Sequence, residues 1–199
     1  MSWNNKLLAV AIVVSIWILY DKWSMRPITY GPGAIAPNAP IQQKVSDIEP
    51  FYYEEYKIIP LATLTVEARV LGRERYYLGR SASLSPLDLA LGWGPMSDEK
   101  VLTSISIKQS NRFYYWFVKK FPIPKNEITA TSANMHIIPA NSTVRKKLLK
   151  VRKGNIVKFS GYLVKVEAKD GWRWNSSMKR TDSGNGACEL VWVEKFESR

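Results

Sequence analysis

Seven basic side chains fall within fourteen residues, RKKLLKVRKGNIVK from Arg145 to Lys158, with no acidic residue among them. Such a run is an electrostatic footprint for phosphate, anionic lipid headgroups or another polyanion. The candidate anion-binding residues are Arg145, Lys146, Lys147, Lys150, Arg152, Lys153 and Lys158. The bland counterpart is the solvated face of a short helix. The net charge of +12 supports a partner for it, because the excess is local. Residues 105–158 carry twelve basic side chains and one acidic one, Glu127, whereas the rest of the chain is close to neutral.

Three other groups of residues have types that could do chemistry. Cys188, His136 and Asp88 supply a nucleophile, a base and a carboxylate to orient it. They lie far apart in sequence and no nucleophile motif surrounds Cys188, so GACELVWV reads as the start of a core strand. The polar, glycine-rich stretch 175–187, NSSMKRTDSGNGA, is a candidate ligand loop through Lys179, Arg180 and Asp182. In RFYYWFVKK, residues 112–120, Tyr114 and Trp116 could stack on bases; the core reading is favoured, since one face of so aromatic a strand must be buried.

One cysteine and one histidine exclude an intramolecular disulfide, a multi-thiolate zinc site and multi-histidine metal sites. No P-loop, GxGxxG or EF-hand pattern occurs, so neither a metal nor another cofactor is expected.

These groups need elements to position them. Leu7 to Tyr20, LLAVAIVVSIWILY, is uncharged and apolar. As a helix, its fourteen residues rise about 21 Å, less than the hydrocarbon thickness of about 30 Å. The next residues, DKWSMRP, offer no small-residue cleavage site, and Trp3, Trp17, Tyr20 and Trp23 lie toward the two ends. Residues 1–25 therefore read as a retained single-pass signal-anchor, with a buried core helix as the alternative. The short tail before the apolar segment is expected in the cytoplasm, which places the rest outside a bacterial-type inner membrane, facing the periplasm.

Residues 26–50 hold five prolines and two glycines and read as an extended linker that lifts the domain off the bilayer, with a long N-terminal arm packed on the domain surface as the alternative. From Phe51 the pattern changes. Tyr56 to Leu71 alternates Leu64, Val66, Ala68 and Val70 with Thr65, Glu67 and Arg69, the period of a half-buried strand. Ser85-Pro86 with Asp88 in capping-box spacing predicts a short helix ending at Gly92 and Gly94. Strands are expected over 101–108, 112–118, 134–139, 156–168 and 188–196, with a short basic helix from Ser142 and a hairpin turn at Asp170-Gly171. Gly161 inside its strand predicts a bulge or bend.

The expected fold is an N-terminal transmembrane helix followed by an α+β, mostly β domain over 51–199. Its sheet is small and curved, or a barrel of OB-like or SH3-like type. The expected function is a non-enzymatic binding or scaffold protein whose extracytoplasmic basic domain meets an anionic lipid, an anionic polymer or an envelope protein. The alternatives are a cytoplasm-facing nucleic-acid binder and a hydrolase using Cys188 and His136.

Overall fold

The computed structural model describes residues 3–179 and 187–199. It is mostly β, preceded by helix α1 (Trp3–Ser24). This helix is eight residues longer than the uncharged segment, because Asn5, Lys6, Asp21 and Lys22 continue it at both ends. Twenty-two residues rise about 33 Å, which removes the shortfall against the hydrocarbon core. Its apolar side chains surround the axis, and the 20-residue window Asn5–Ser24 is 0 % buried. Leu8, Val13, Trp17 and Leu19 are each more than 60 % exposed. The helix is thus long and apolar enough to cross a membrane, and it is not the core helix of this domain.

The segment after α1 runs along the domain surface. Ile28 N–H donates to the Lys153 carbonyl at 2.9 Å, Tyr30 N–H to Glu99 at 3.0 Å, and Gly33 N–H to Asp98 at 2.9 Å. Ala36 N–H donates to Ser97 Oγ, and β1 (Ile41–Lys44) then pairs antiparallel with the long strand β3 (Tyr56–Arg75). Five prolines do not prevent this, because the N–H groups that remain find acceptors on the domain surface. Gly154 makes the docking sterically feasible. It has φ +92°, and a Cβ there would lie 2.0 Å from the Ile28 carbonyl oxygen.

β2 (Phe51–Tyr53) forms a hairpin with the start of β3. After β3 come α2 (Arg80–Leu84), β4 (Leu87–Gly92), a 3₁₀ turn over 94–97 and α3 (Glu99–Leu102). The hairpin β5 (Ile105–Ser110) and β6 (Phe113–Val118) follows, then α4 (Lys125–Ala130) and β7 (Ser132–Pro139). α5 (Ser142–Leu149), β8 (Ile156–Ala168), β9 (Arg173–Asn175) and β10 (Glu189–Ser198) complete the chain.

The main sheet is curled. Its pairings run β3–β4–β7–β10–β8 and return to β3, with β7–β10 parallel and the others antiparallel. Inside the curl, Leu64, Val66, Leu89, Met135, Val191 and Phe196 belong to one core cluster, covered at one end by Val144, Leu148 and Val151 from α5 and the residues after it. Gly161 sits where β8 lies between β3 and β10. A Cβ there would fall 1.9 Å from the Trp192 carbonyl oxygen, so only glycine allows the strands to approach. The expected irregularity lies across from it, as a bulge between Val193 and Lys195.

The helix expected over 85–92 is instead strand β4, with every residue buried. Leu87, Leu89 and Leu91 face the inner core, while Asp88 and Ala90 face outward under the β5–β6 hairpin. The alternation of Leu87, Leu89 and Leu91 with Asp88 and Ala90 is that of a strand, and it prevails over the Ser85-Pro86 helix-start signal. Ser85, the expected N-cap, instead closes α2 as its C-cap.

Candidate functional site

The outer faces of β4 and β7 carry the polar centre of the molecule. Asp88 and His136 are register partners on adjacent strands, and Asn134 lies one pleat along on the same face as His136. Cys188 immediately precedes β10, next to Asn134 across the parallel pair. The hairpin β5–β6 folds over this face and brings Arg112 down onto it.

Arg112 is held in an unusual backbone state. Asn111 and Arg112 have φ of +52° and +70°, the two left-handed positions of a type I′ hairpin turn, where glycine is usual at the second. An arginine there is strained, and its surroundings hold it in place. Its N–H donates to Tyr76 Oη at 2.8 Å, and its carbonyl accepts from Asn134 Nδ2 at 3.0 Å and from Cys188 Sγ at 3.6 Å. Gln109 Nε2 donates to Asn134 Oδ1 at 2.8 Å, fixing the amide that holds the turn.

The Arg112 guanidinium pairs with Asp88 Oδ1 at 2.6 Å and lies 3.7 Å from the Tyr76 ring centroid and 5.3 Å from that of Trp174. The Asp88 side chain is only 1 % exposed, so this cation is what makes a buried carboxylate tolerable. Asp88 Oδ2 also lies 2.9 Å from His136 Nδ1, near in distance but not aligned as a linear hydrogen bond. Burial and the nearby Asp88 charge push the Tyr76 hydroxyl up to about 12.

These groups open into a cleft of about 450 Å³. Arg112, Phe113 and His136 form its floor, and Trp172, Arg173 and Trp174 form one wall. The His136 and Trp174 rings are 5.0 Å apart, and Trp172 packs edge-on against Trp174 at 6.1 Å. Ser81, Asn175 and Cys188 complete the lining. The size and the mix of aromatic walls with a few fixed polar groups are those of a small-ligand site.

Asp88, His136 and Cys188 are therefore neighbours in space, which their sequence separation does not reveal. Asp88 lies beside His136, but the two are not aligned for the hydrogen bond by which a carboxylate orients a base. The thiol is directed to the Arg112 carbonyl and the Asn134 amide. Among the described residues, no three His, Cys, Asp or Glu side chains converge as a metal site.

The basic run does not form one patch. In α5, Asn141 rather than Ser142 caps the helix, its Oδ1 accepting from Val144 N–H at 3.0 Å. Arg145, Lys146 and Lys147 are exposed on its outer side, and Arg145 faces the Tyr53 end of the domain, where its charge reaches that hydroxyl. Lys150 is exposed just beyond the helix. Arg152 and Lys153 lie at the other end, against residues 24–28. Lys158 sits in a cross-strand row between Glu67 and Glu197, which offsets its charge.

Lys179 is exposed and exchanges backbone hydrogen bonds with Ser177 Oγ. Arg180 and Asp182 lie outside the described residues. Tyr114 and Trp116 pack against the cluster of Leu71, Met96 and Ile128, so neither is a stacking platform. Tyr115 and Phe117 are the exposed aromatics of that hairpin.

Arg112, Trp172 and Trp174 were not legible as site residues. The usable signals were an Arg after Ser-Asn at a hairpin tip and the Trp-Arg-Trp triplet next to the Asp-Gly turn. Compared with known proteins, the chain matches no family model, no curated protein and no solved structure.

Proposed function

We propose that this chain is a membrane-anchored, non-enzymatic binding protein whose cleft at Arg112, His136 and Trp174 takes an anionic, ring-containing chain such as an acidic oligosaccharide. The observation that carries the reading is the strained Arg112. A cation fixed at positive φ, between two aromatic rings and over a buried carboxylate, is costly structure concentrated at the floor of an open cleft. Trp172 and Trp174 supply ring faces, and the exposed Arg173, 3.6 Å from Glu167, stands at the rim.

The closed circuit of pairings supports reading the curled sheet as an OB-like five-stranded barrel formed by β3, β4, β7, β8 and β10. In such barrels, oligosaccharides and oligonucleotides bind across the second and third strands, between the first and fourth connections. Here these are β4 and β7, the connection holding Ser81, and the connection holding Trp172 to Asn175, which are the walls of the cleft.

The anchor part of the proposal rests on α1, whose exposed apolar side chains would each gain about 1.5–3 kcal/mol on leaving water. With it goes the proposal that the domain lies outside the cytoplasm, at the inner membrane of a bacterial-type cell. Protease reaching a tag after Arg199 in spheroplasts with an intact inner membrane is the expected result; protection until the inner membrane is opened contradicts it. Binding itself is tested by calorimetric titration of the full chain with acidic oligosaccharides. Saturable binding lost in Trp174→Ala is expected, and no binding to any acidic oligosaccharide tested removes this reading.

A further inference from the structure

The end of the domain next to α1 carries a second cationic group, separate from the cleft. Arg152 Nη1 donates to the Ser24 carbonyl at 3.3 Å, Lys153 accepts from Ile28 N–H, and Arg73 Nη1 lies 3.9 Å from Met25 Sδ. Three residues separate Ser24 from Ile28, and each spans at most about 3.6 Å, so Arg152 and Lys153 stay close to the last turn of α1. In that turn Lys22 and Trp23 are exposed, and the Arg26 guanidinium lies 5.0 Å from the Trp23 ring centroid.

The nearby carboxylates have other partners. Glu99 is paired with Arg69 and receives the Tyr30 N–H; Asp98 receives the N–H groups of Gly33 and Lys100. Neither Asp98 nor Glu99 forms an ion pair with Lys22, Arg26, Arg152 or Lys153, although the Lys153 charge reaches Glu99. An exposed tryptophan next to several cations at the end of an apolar helix has the composition of a membrane interface.

The geometry points to a headgroup-facing surface, made by Lys22, Arg26, Arg152 and Lys153, that holds the domain against anionic lipids of the bilayer that α1 crosses. The inference rests on the anchor reading above. It also goes beyond it, because docking of residues 28–44 on the domain leaves no free spacer between bilayer and domain. Anionic lipid then sets the orientation in which the domain presents its cleft.

The test uses the full chain in phosphatidylcholine bilayers containing trace spin-labelled phosphatidylcholine or phosphatidylglycerol. Electron paramagnetic resonance reads the fraction of each label immobilised by the protein. Wild type should prefer phosphatidylglycerol, and Arg152→Gln with Lys153→Gln should lower that preference about fivefold or more at low salt. Molar salt should erase it, and Arg145→Gln with Lys146→Gln should leave it unchanged. If the double variant does not fold, Lys153→Gln alone, at an exposed side chain, carries the same comparison. Equal association of both lipids in wild type, or an unchanged preference after neutralising Lys153, overturns the proposal. Failure of the chain to float with liposomes overturns the anchor as well; flotation without lipid preference overturns this proposal alone.

Discussion

Arg112 and Asp88, 24 residues apart in sequence, form a 2.6 Å ion pair that fastens the tip of the β5–β6 hairpin to the outer face of β4. The pair fixes the cleft floor, and it trades backbone strain at the turn for neutralisation of a buried charge.

Arg112→Gly is therefore expected to improve the turn and still destabilise the domain. The relief at positive φ is about 1–3 kcal/mol. Stranding the Asp88 carboxylate costs about 3–5 kcal/mol. Urea unfolding of the full chain in detergent should show net loss, and adding Asp88→Asn should recover part of it. Equal stability of Arg112→Gly and wild type would show that the pair is not what holds the hairpin.

Two glycines give separable effects. Gly161→Ala places a methyl group into the Trp192 carbonyl, between strands that cannot move apart, and should cost more than about 3 kcal/mol or prevent folding. Gly154→Ala meets the Ile28 carbonyl and is strained at its φ. It should weaken docking of residues 28–36, read as faster amide exchange there. Unchanged exchange in that segment would contradict the docking.

Acid should loosen the same docking. Backbone N–H groups of Gly33 and Lys100 lower the pKa of Asp98. For Glu99, burial works upward, but the Tyr30 N–H and Arg69 outweigh it and the net shift is down. Groups with depressed folded values contribute stability above their ordinary values of 3.8 and 4.5, and that contribution disappears as pH falls through the folded values. Protection of the 28–36 amides should decline below about pH 4 and be weaker at neutral pH in Asp98→Asn.

Tyr76 and Tyr114 should titrate late. Burial pushes both hydroxyls up to about 12, with the Asp88 charge adding to the effect at Tyr76. A raised folded value means that their contribution to stability is present below pH 10 and is lost as pH rises toward 12. Phenolate absorbance should show a late component that shrinks in Tyr76→Phe. If all tyrosines titrate together near 10 while the protein is folded, the described burial is wrong.

The elements that read correctly from sequence are those with one buried face. Val66 and Ala68 alternate with exposed Thr65 and half-buried Glu67, and Val144 and Leu148 share the buried side of α5, with Val151 just beyond it. Leu87–Gly92 did not read correctly, because Ser85-Pro86 imitates a helix start and masks the alternation of Leu87, Leu89 and Leu91 with smaller or polar residues. The 28–44 arm resembled a spacer because its docking uses backbone N–H groups, which leave no side-chain pattern. The basic run was visible, but chain direction divides it. Arg145 and Lys153 are eight residues apart, yet they face the Tyr53 end and the α1 end respectively. The cleft was the least legible feature, since Asp88, Arg112, His136 and Trp174 come from four strands or turns and meet only after the sheet curls.

The cleft as a ligand site is tested most directly by Trp174→Ala in the full chain, titrated calorimetrically with a hexuronic-acid oligosaccharide. Wild type should bind, Trp174→Ala should weaken binding about tenfold or more, and Arg145→Gln with Lys146→Gln and Lys147→Gln should leave it unchanged. Undiminished affinity in Trp174→Ala would contradict the account. So would binding only to single-stranded nucleic acid, steeply salt-dependent and lost with the three α5 charges.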